Sequence, residues 1–119
     1  MNQLIENISY ALDDRYLLEM ANLQPHETGL VAIVHVSSKG GAKHNARVKV
    51  SNIAGTFNED NFSITIEKTP RVIGKCKLNG VHLKSIIHWV LLNKDHILKV
   101  WENGGMMTIK EIDAGFKHL

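Results

Sequence analysis

Lys39-Gly40-Gly41-Ala42-Lys43-His44 is the stretch of this 119-residue chain whose residue types come nearest to a binding chemistry. Glycines let backbone amides approach an anion closely, and two ammonium groups can neutralise a phosphate. The stretch is not a nucleotide loop of the Walker type. That pattern needs a glycine, four residues and then Gly-Lys-Ser/Thr opening a helix, whereas Asn45 to Val50 alternates polar and apolar residues as a strand does. The competing interpretation is a solvated hairpin loop whose lysines keep the surface soluble. A wider set favours binding. Lys39, Lys43, His44, Arg47 and Lys49 would join Arg71, Lys75 and Lys77 on one phosphate-binding surface if their strands are neighbours and their outward sides coincide. Neither basic strand interleaves aromatic residues, so contact with a phosphate backbone is expected rather than base stacking.

Other chemistries find less support. His35 or His44, with Lys43 and Arg47, contains the parts of a metal-independent ribonuclease site, a histidine to move the proton and cations to hold the phosphoryl charge. No complete catalytic motif accompanies them, and His35 lies within an apolar run, where a buried histidine bonded to a backbone carbonyl is the ordinary case. His82, Trp89 and His96 follow one another at intervals of seven and share a helix side. Seven residues rise about 10 Å, too far for one metal ion to bridge. His88 has Leu92 rather than a ligand four residues on, so helical zinc motifs are missing. No metal site and no cofactor are expected. Cys76 falls on the apolar side of its strand pattern and Trp89 and Trp101 fall on a helical apolar stripe, so all three are expected to pack rather than react or recognise.

The charge is unevenly placed. The formal net charge is only +2, but residues 1–27 hold five acids against Arg15, while residues 28–58 hold Lys39, Lys43, Arg47 and Lys49 and no acid. An acidic segment therefore precedes a basic one, and the two could meet in a homodimer. A single cysteine excludes an internal disulfide, and the first residues have neither the cationic start nor the apolar core of a secretion signal. No apolar run approaches the roughly 20 residues of a membrane span. A cytoplasmic protein with no membrane association is the expectation.

The elements that must position these residues follow from periodicity. A single domain is expected over 1–119, with an acidic helical segment over 1–27, a sheet over 30–78, a helix over 80–103 and a tail over 106–119. Leu4, Ile5, Ile8 and Leu12 have helical spacing; Tyr16, Leu17, Met20 and Leu23 fit a second helical turn or an extended arm; and Gln24 to Gly29 breaks the pattern. Leu30 to Val36 has the β-branched content of a central strand. Asn45 to Val50 and Phe62 to Glu67 alternate with period two, and Arg71 to Leu78 offers a fourth strand with its cations on one side. Leu83, Ile86, Ile87, Val90, Leu91, Ile97, Leu98 and Trp101 follow a 3.6-residue period, as one long helix or as two restarted near Asn93-Lys94-Asp95. In the tail, Thr108 and Glu111 have capping-box spacing. The fold class is α+β: an antiparallel sheet of three to four strands packed by a long C-terminal helix, with a short acidic N-terminal helix.

His44 and Asn45 at a strand start, together with Trp89, Asn93, Ile97 or Leu98, and Trp101 on the helix, resemble a family of small uncharacterised bacterial and phage proteins. Its members start a strand with approximately H-N-P-P-H-x-H and end in a helix of the form W-x-x-x-N-x-x-x-L-x-x-x-W. Ala46 and Arg47 stand where the family has prolines, and Val48 and Lys49 leave no further histidines. The resemblance covers the last two thirds of the chain and implies a small α+β fold with toxin-antitoxin-like association, but no reaction. The leading expectation is a non-enzymatic module that binds nucleic acid through the basic loop and sheet side. The alternative is an interaction or inhibitor module of a phage or mobile element that presents the same cations to an acidic protein partner.

Overall fold

The computed structural model describes residues 21–54, 56–57 and 59–119; the acidic helix expected in the first twenty residues lies outside them. Five strands form one antiparallel sheet in chain order. They are β1 (Ala21–Leu23), β2 (Val34–Val36), β3 (Arg47–Ser51), β4 (Asn61–Thr65) and β5 (Val72–Ile73).

The expected three to four strands become five because β1 was legible only as a helical turn or an arm. Its three residues are too few to display an alternation, yet they obey one: Ala21 and Leu23 are buried opposite Val36 and Val34, and Asn22 between them is exposed. The break that follows is itself structured. Pro25–Thr28 makes a single helical turn, α1, opened by a capping box between Gln24 and Glu27 and closed by Gly29 at φ 84°. The strand expected over Leu30 to Val36 is confined to its last three residues, although Leu30, Ala32 and Ile33 are buried as well.

Register divides the sheet into two sides. Leu23, Val34, Val50 and Phe62 lie side by side across four strands, as do Val48, Ile64 and Val72 across three. The opposite side carries Asn22, His35, Lys49, Ser63 and Ile73 in one row, with Arg47 beside Thr65. Period-two patterning of β3 and β4 dictates this outcome, since each apolar residue must face the core once its neighbour faces out. Burying such a side chain contributes about 1.5–3 kcal/mol, and Phe62→Ala would leave a cavity costing about 3–5 kcal/mol.

The long helix is two. α2 (Gly80–Leu92) begins at Asn79, whose side chain accepts a hydrogen bond from the His82 amide at 2.9 Å, and α3 (Lys94–Asn103) restarts directly after Asn93. Ile86, Trp89 and Val90 of α2 and Ile97, Val100 and Trp101 of α3 are buried in the same apolar cluster as the sheet residues. A 3₁₀ turn over Gly104–Met106 follows, and the Thr108–Glu111 capping box does open a helix, α4 (Ile109–Ala114). The last residues then run back across the molecule. Trp89 donates from Nε1 to the Lys117 carbonyl at 3.0 Å, and the Leu119 amide donates to the Thr28 carbonyl at 2.7 Å.

Candidate anion-binding groove

The connection between β2 and β3, residues 37–46, is shaped by α3 more than by its own glycines. The Lys39 amide donates to the Trp101 carbonyl at 2.8 Å, and the Ala42 amide closes a turn onto the Lys39 carbonyl at 2.7 Å with Gly40 at φ 49°. Of the loop's two glycines, Gly40 alone adopts the left-handed conformation that other residues avoid. His44 follows, its Nδ1–H donating to the Asn45 carbonyl at 2.8 Å, and its ring lies 5.5 Å from the Trp101 ring at an angle of 33°. Arg47 then begins β3 on the polar side of the sheet.

These elements enclose an open groove of about 790 Å³. Lys39, Lys43 and His44 line it from the loop, Arg47 and Thr65 from the sheet, and Arg71 with Glu67 from the segment between β4 and β5; Trp101 and Glu102 come from α3. A smaller hollow of about 290 Å³ adjoins it and reaches Ser37, Lys49, Ser63 and His35. Lys39, Ala42, His44, Arg47 and Trp101 line both, so the tilted His44–Trp101 pair stands where the two meet.

Two of the four cations in the larger groove are paired. Lys39 meets Glu102 at 3.2 Å and Arg71 meets Glu67 at 2.8 Å, all with exposed or half-exposed side chains. The hydroxyl of Thr65 and the Arg71 guanidinium hold the Glu67 carboxyl below the usual carboxylate range. Among the described residues, Lys43 and Arg47 have no carboxylate partner. The Arg47 Nε atom is buried and makes no hydrogen bond. Buried N–H groups are nearly always satisfied, so an orphaned one beside a basic hollow is an unusual feature of this site.

Six of the eight expected binding residues, Lys39, Lys43, His44, Arg47, Lys49 and Arg71, line one or both hollows. Lys75 and Lys77 do not. β5 ends at Ile73 and Gly74 turns the chain away at φ 94°, so the alternation imagined over Arg71 to Leu78 never forms. Asn52 captures the diverted segment, donating to the Lys75 carbonyl at 2.9 Å and accepting from the Lys77 amide at 2.7 Å, while Lys77 pairs with Asp60 at 2.8 Å. That cluster sits at the far end of β3, about 17 Å from Arg47 at the usual rise per residue.

Trp101 is the residue that sequence reasoning missed. It is buried to 6 % exposure, as its place on the apolar stripe demands, yet its ring also walls the basic hollows. Nothing local to α3 announces that residues 39–44 return to it. His35 is buried as expected; its Nδ1–H donates to the Asn22 side-chain oxygen, and Phe57 stacks on its ring at 5.2 Å. Cys76 is half-buried against the core, with its thiol toward the Leu78 carbonyl. Among the described residues no cluster of three or more His, Cys, Asp or Glu is placed to hold a metal ion, and no helix is long and apolar enough to cross a membrane. Comparison of the chain with protein-family models, with curated proteins and with solved structures finds no match.

Proposed function

We propose that this protein is a binding module for nucleic acid, holding phosphate groups in the groove between the β2–β3 connection, the polar side of the sheet and α3. The observation that carries the proposal is the convergence of Lys39, Lys43, Arg47 and Arg71 on one hollow that holds two carboxylates, Glu67 and Glu102. Four cations against two carboxylates leave this one hollow with a net positive charge equal to the formal +2 of the whole chain. Concave basic surfaces concentrate field and raise the local concentration of anions. Arg47 lines the groove, has no carboxylate partner among the described residues, and offers a planar guanidinium suited to phosphate.

The test is fluorescence anisotropy with labelled oligonucleotides over a salt series. Binding weakens as salt rises, because each neutralised phosphate releases counterions, and Lys43→Glu with Arg47→Glu abolishes it. Absence of binding at low salt overturns the proposal.

A second reading, an interaction or inhibitor module of the toxin-antitoxin kind, draws on one further observation. Ile73 on the outermost strand is 36 % exposed and lines the groove with Arg71, so an apolar side chain on the polar side of the sheet adjoins the cations. A nuclease-treated pull-down that retains one acidic protein favours this reading over the first.

A further inference from the structure

The groove combines its cations with an aromatic pair, and that combination selects the form of polynucleotide. We infer that it takes single strands, with a nucleobase stacked on the exposed imidazole of His44 and the neighbouring phosphate on Arg47 and Lys43; this rests on the phosphate-binding reading above. Three observations converge on it.

The first is shape. Proteins that read a duplex present a protruding helix or ribbon to a groove of the nucleic acid. Here the cations line a hollow of about 790 Å³, within the range of sites that enclose small ligands, about 300–1,000 Å³. A duplex presents its phosphates on a stiff convex surface, whereas a flexible strand can lower one nucleotide into such a hollow.

The second is the aromatic pair. His44 is exposed, and Trp101 lies 5.5 Å behind its ring, so the ring is backed by a buried indole rather than free to swing. The hydrogen bond from its Nδ1 to the Asn45 carbonyl fixes the ring further. A ring held in this way is preorganised for stacking, and stacking suits bases of every sequence because each has a π-face. Bases paired within a duplex do not offer that face.

The third is Arg47, which lines the hollows on both sides of the aromatic pair. A strand that stacks a base on His44 has its phosphates on either side of that base, one toward each hollow. Arg47 and Lys43 then face the larger hollow, and Lys49 the smaller.

The experiment titrates the full chain with labelled eight-nucleotide oligo(dT) and oligo(U), and with a duplex of mixed sequence, at one low salt concentration. Tryptophan fluorescence, to which Trp101 in the groove wall and Trp89 in the core both contribute, serves as a second readout. The wild type binds the single strands at least ten-fold more tightly than the duplex. His44→Ala collapses that ratio towards one, since stacking one base is worth roughly five- to hundred-fold in affinity. His44→Phe, which keeps a ring and removes its nitrogens, retains the preference. The oligo(dT) and oligo(U) arms decide whether the strand is DNA or RNA. Equal affinity for strand and duplex, or a ratio that His44→Ala leaves intact, overturns the inference while leaving phosphate binding in place. Failure to bind any of the three overturns both.

Discussion

Asn93 and Lys117 are joined by both halves of the asparagine amide: the Lys117 N–H donates to Asn93 Oδ1 at 2.6 Å, and Asn93 Nδ2 donates to the Lys117 carbonyl at 3.1 Å. A side chain thus pairs with backbone as a neighbouring strand would, and it does so while 2 % exposed at the break between α2 and α3. The same Nδ2 also donates to the Trp89 carbonyl at 3.0 Å, so the residue that interrupts the helix also satisfies the helix end. Trp89 and Asn93 thus hold the C-terminal residues, and Trp101 walls the groove.

Asn93→Ala therefore leaves the Lys117 N–H without its partner in a part-buried place and the Lys117 carbonyl with Trp89 alone. The expected loss of stability is about 2–4 kcal/mol, from two or three hydrogen bonds and the desolvation of the groups left behind. Urea denaturation monitored by tryptophan fluorescence measures it. Since Trp89 Nε1 still reaches the Lys117 carbonyl, the variant is expected to fold. A loss below about 0.5 kcal/mol would show that the pairing of Asn93 with Lys117 contributes little to stability.

Gly115 is required for space rather than for backbone conformation, since its φ is −84°. A Cβ there would lie 2.0 Å from the His96 ring, which donates from Nε2 to the Ile112 carbonyl at 2.7 Å and meets Phe116 edge-on at 4.6 Å. Gly115→Ala must push that ring out and is expected to cost about 1–3 kcal/mol. Combined with His96→Ala, the clash disappears, so the double variant should be more stable than the sum of the two single losses. Additive losses in a thermal melt would contradict this account.

The strands β3 and β4 were legible because five consecutive residues suffice to show which side each side chain takes, and Val48, Val50, Phe62 and Ile64 declare the core. β1 and β5 were not. Ala21–Leu23 and Val72–Ile73 are held by pairing with β2 and β4, and pairing is a long-range property that no short window contains. The cations were legible as residue types, and their convergence was not, because it depends on the Lys39 amide finding the Trp101 carbonyl 62 positions away. Lys77 shows the reverse error: its charge invites a place on the basic surface, but Gly74 and Asn52 divert the chain toward Asp60.

Acid titration separates two kinds of carboxylate. Hydrogen bonds from Lys77 and Asn52 hold Asp60 below the usual carboxylate range, and Glu67 and Glu111 are lowered by their own hydrogen bonds. A carboxyl lowered in the folded state contributes stability above its unfolded value, near pH 4, and that contribution disappears as pH falls through the folded value. Asp113 is raised instead, by desolvation and by the negative charge of Glu27, so it opposes folding once pH rises through its folded value. Asp60→Asn is thus expected to lower stability at neutral pH and to flatten the loss below pH 4. Asp113→Asn should raise stability at neutral pH and do nothing below pH 3. Denaturation midpoints from pH 2 to 7 check both signs, and an Asp113→Asn protein destabilised at neutral pH would refute the second.

Glu102 sets the strength of the groove rather than its existence. It holds Lys39 at 3.2 Å, and both side chains are about half exposed, so the pair adds little to stability while cancelling one of the four charges available to a phosphate. Glu102→Gln keeps the size of the side chain and removes the competing carboxylate. The freed Lys39 should tighten oligonucleotide binding roughly two- to five-fold at low salt, an effect that shrinks as the Debye length contracts toward about 8 Å at physiological ionic strength. The denaturation midpoint should hardly move. Because the substitution strengthens an interaction rather than destroying one, misfolding cannot imitate the expected result. Unchanged or weaker binding by a folded Glu102→Gln protein would mean that the ligand's phosphates lie beyond the reach of Lys39, leaving Lys43, Arg47 and Arg71 to hold them.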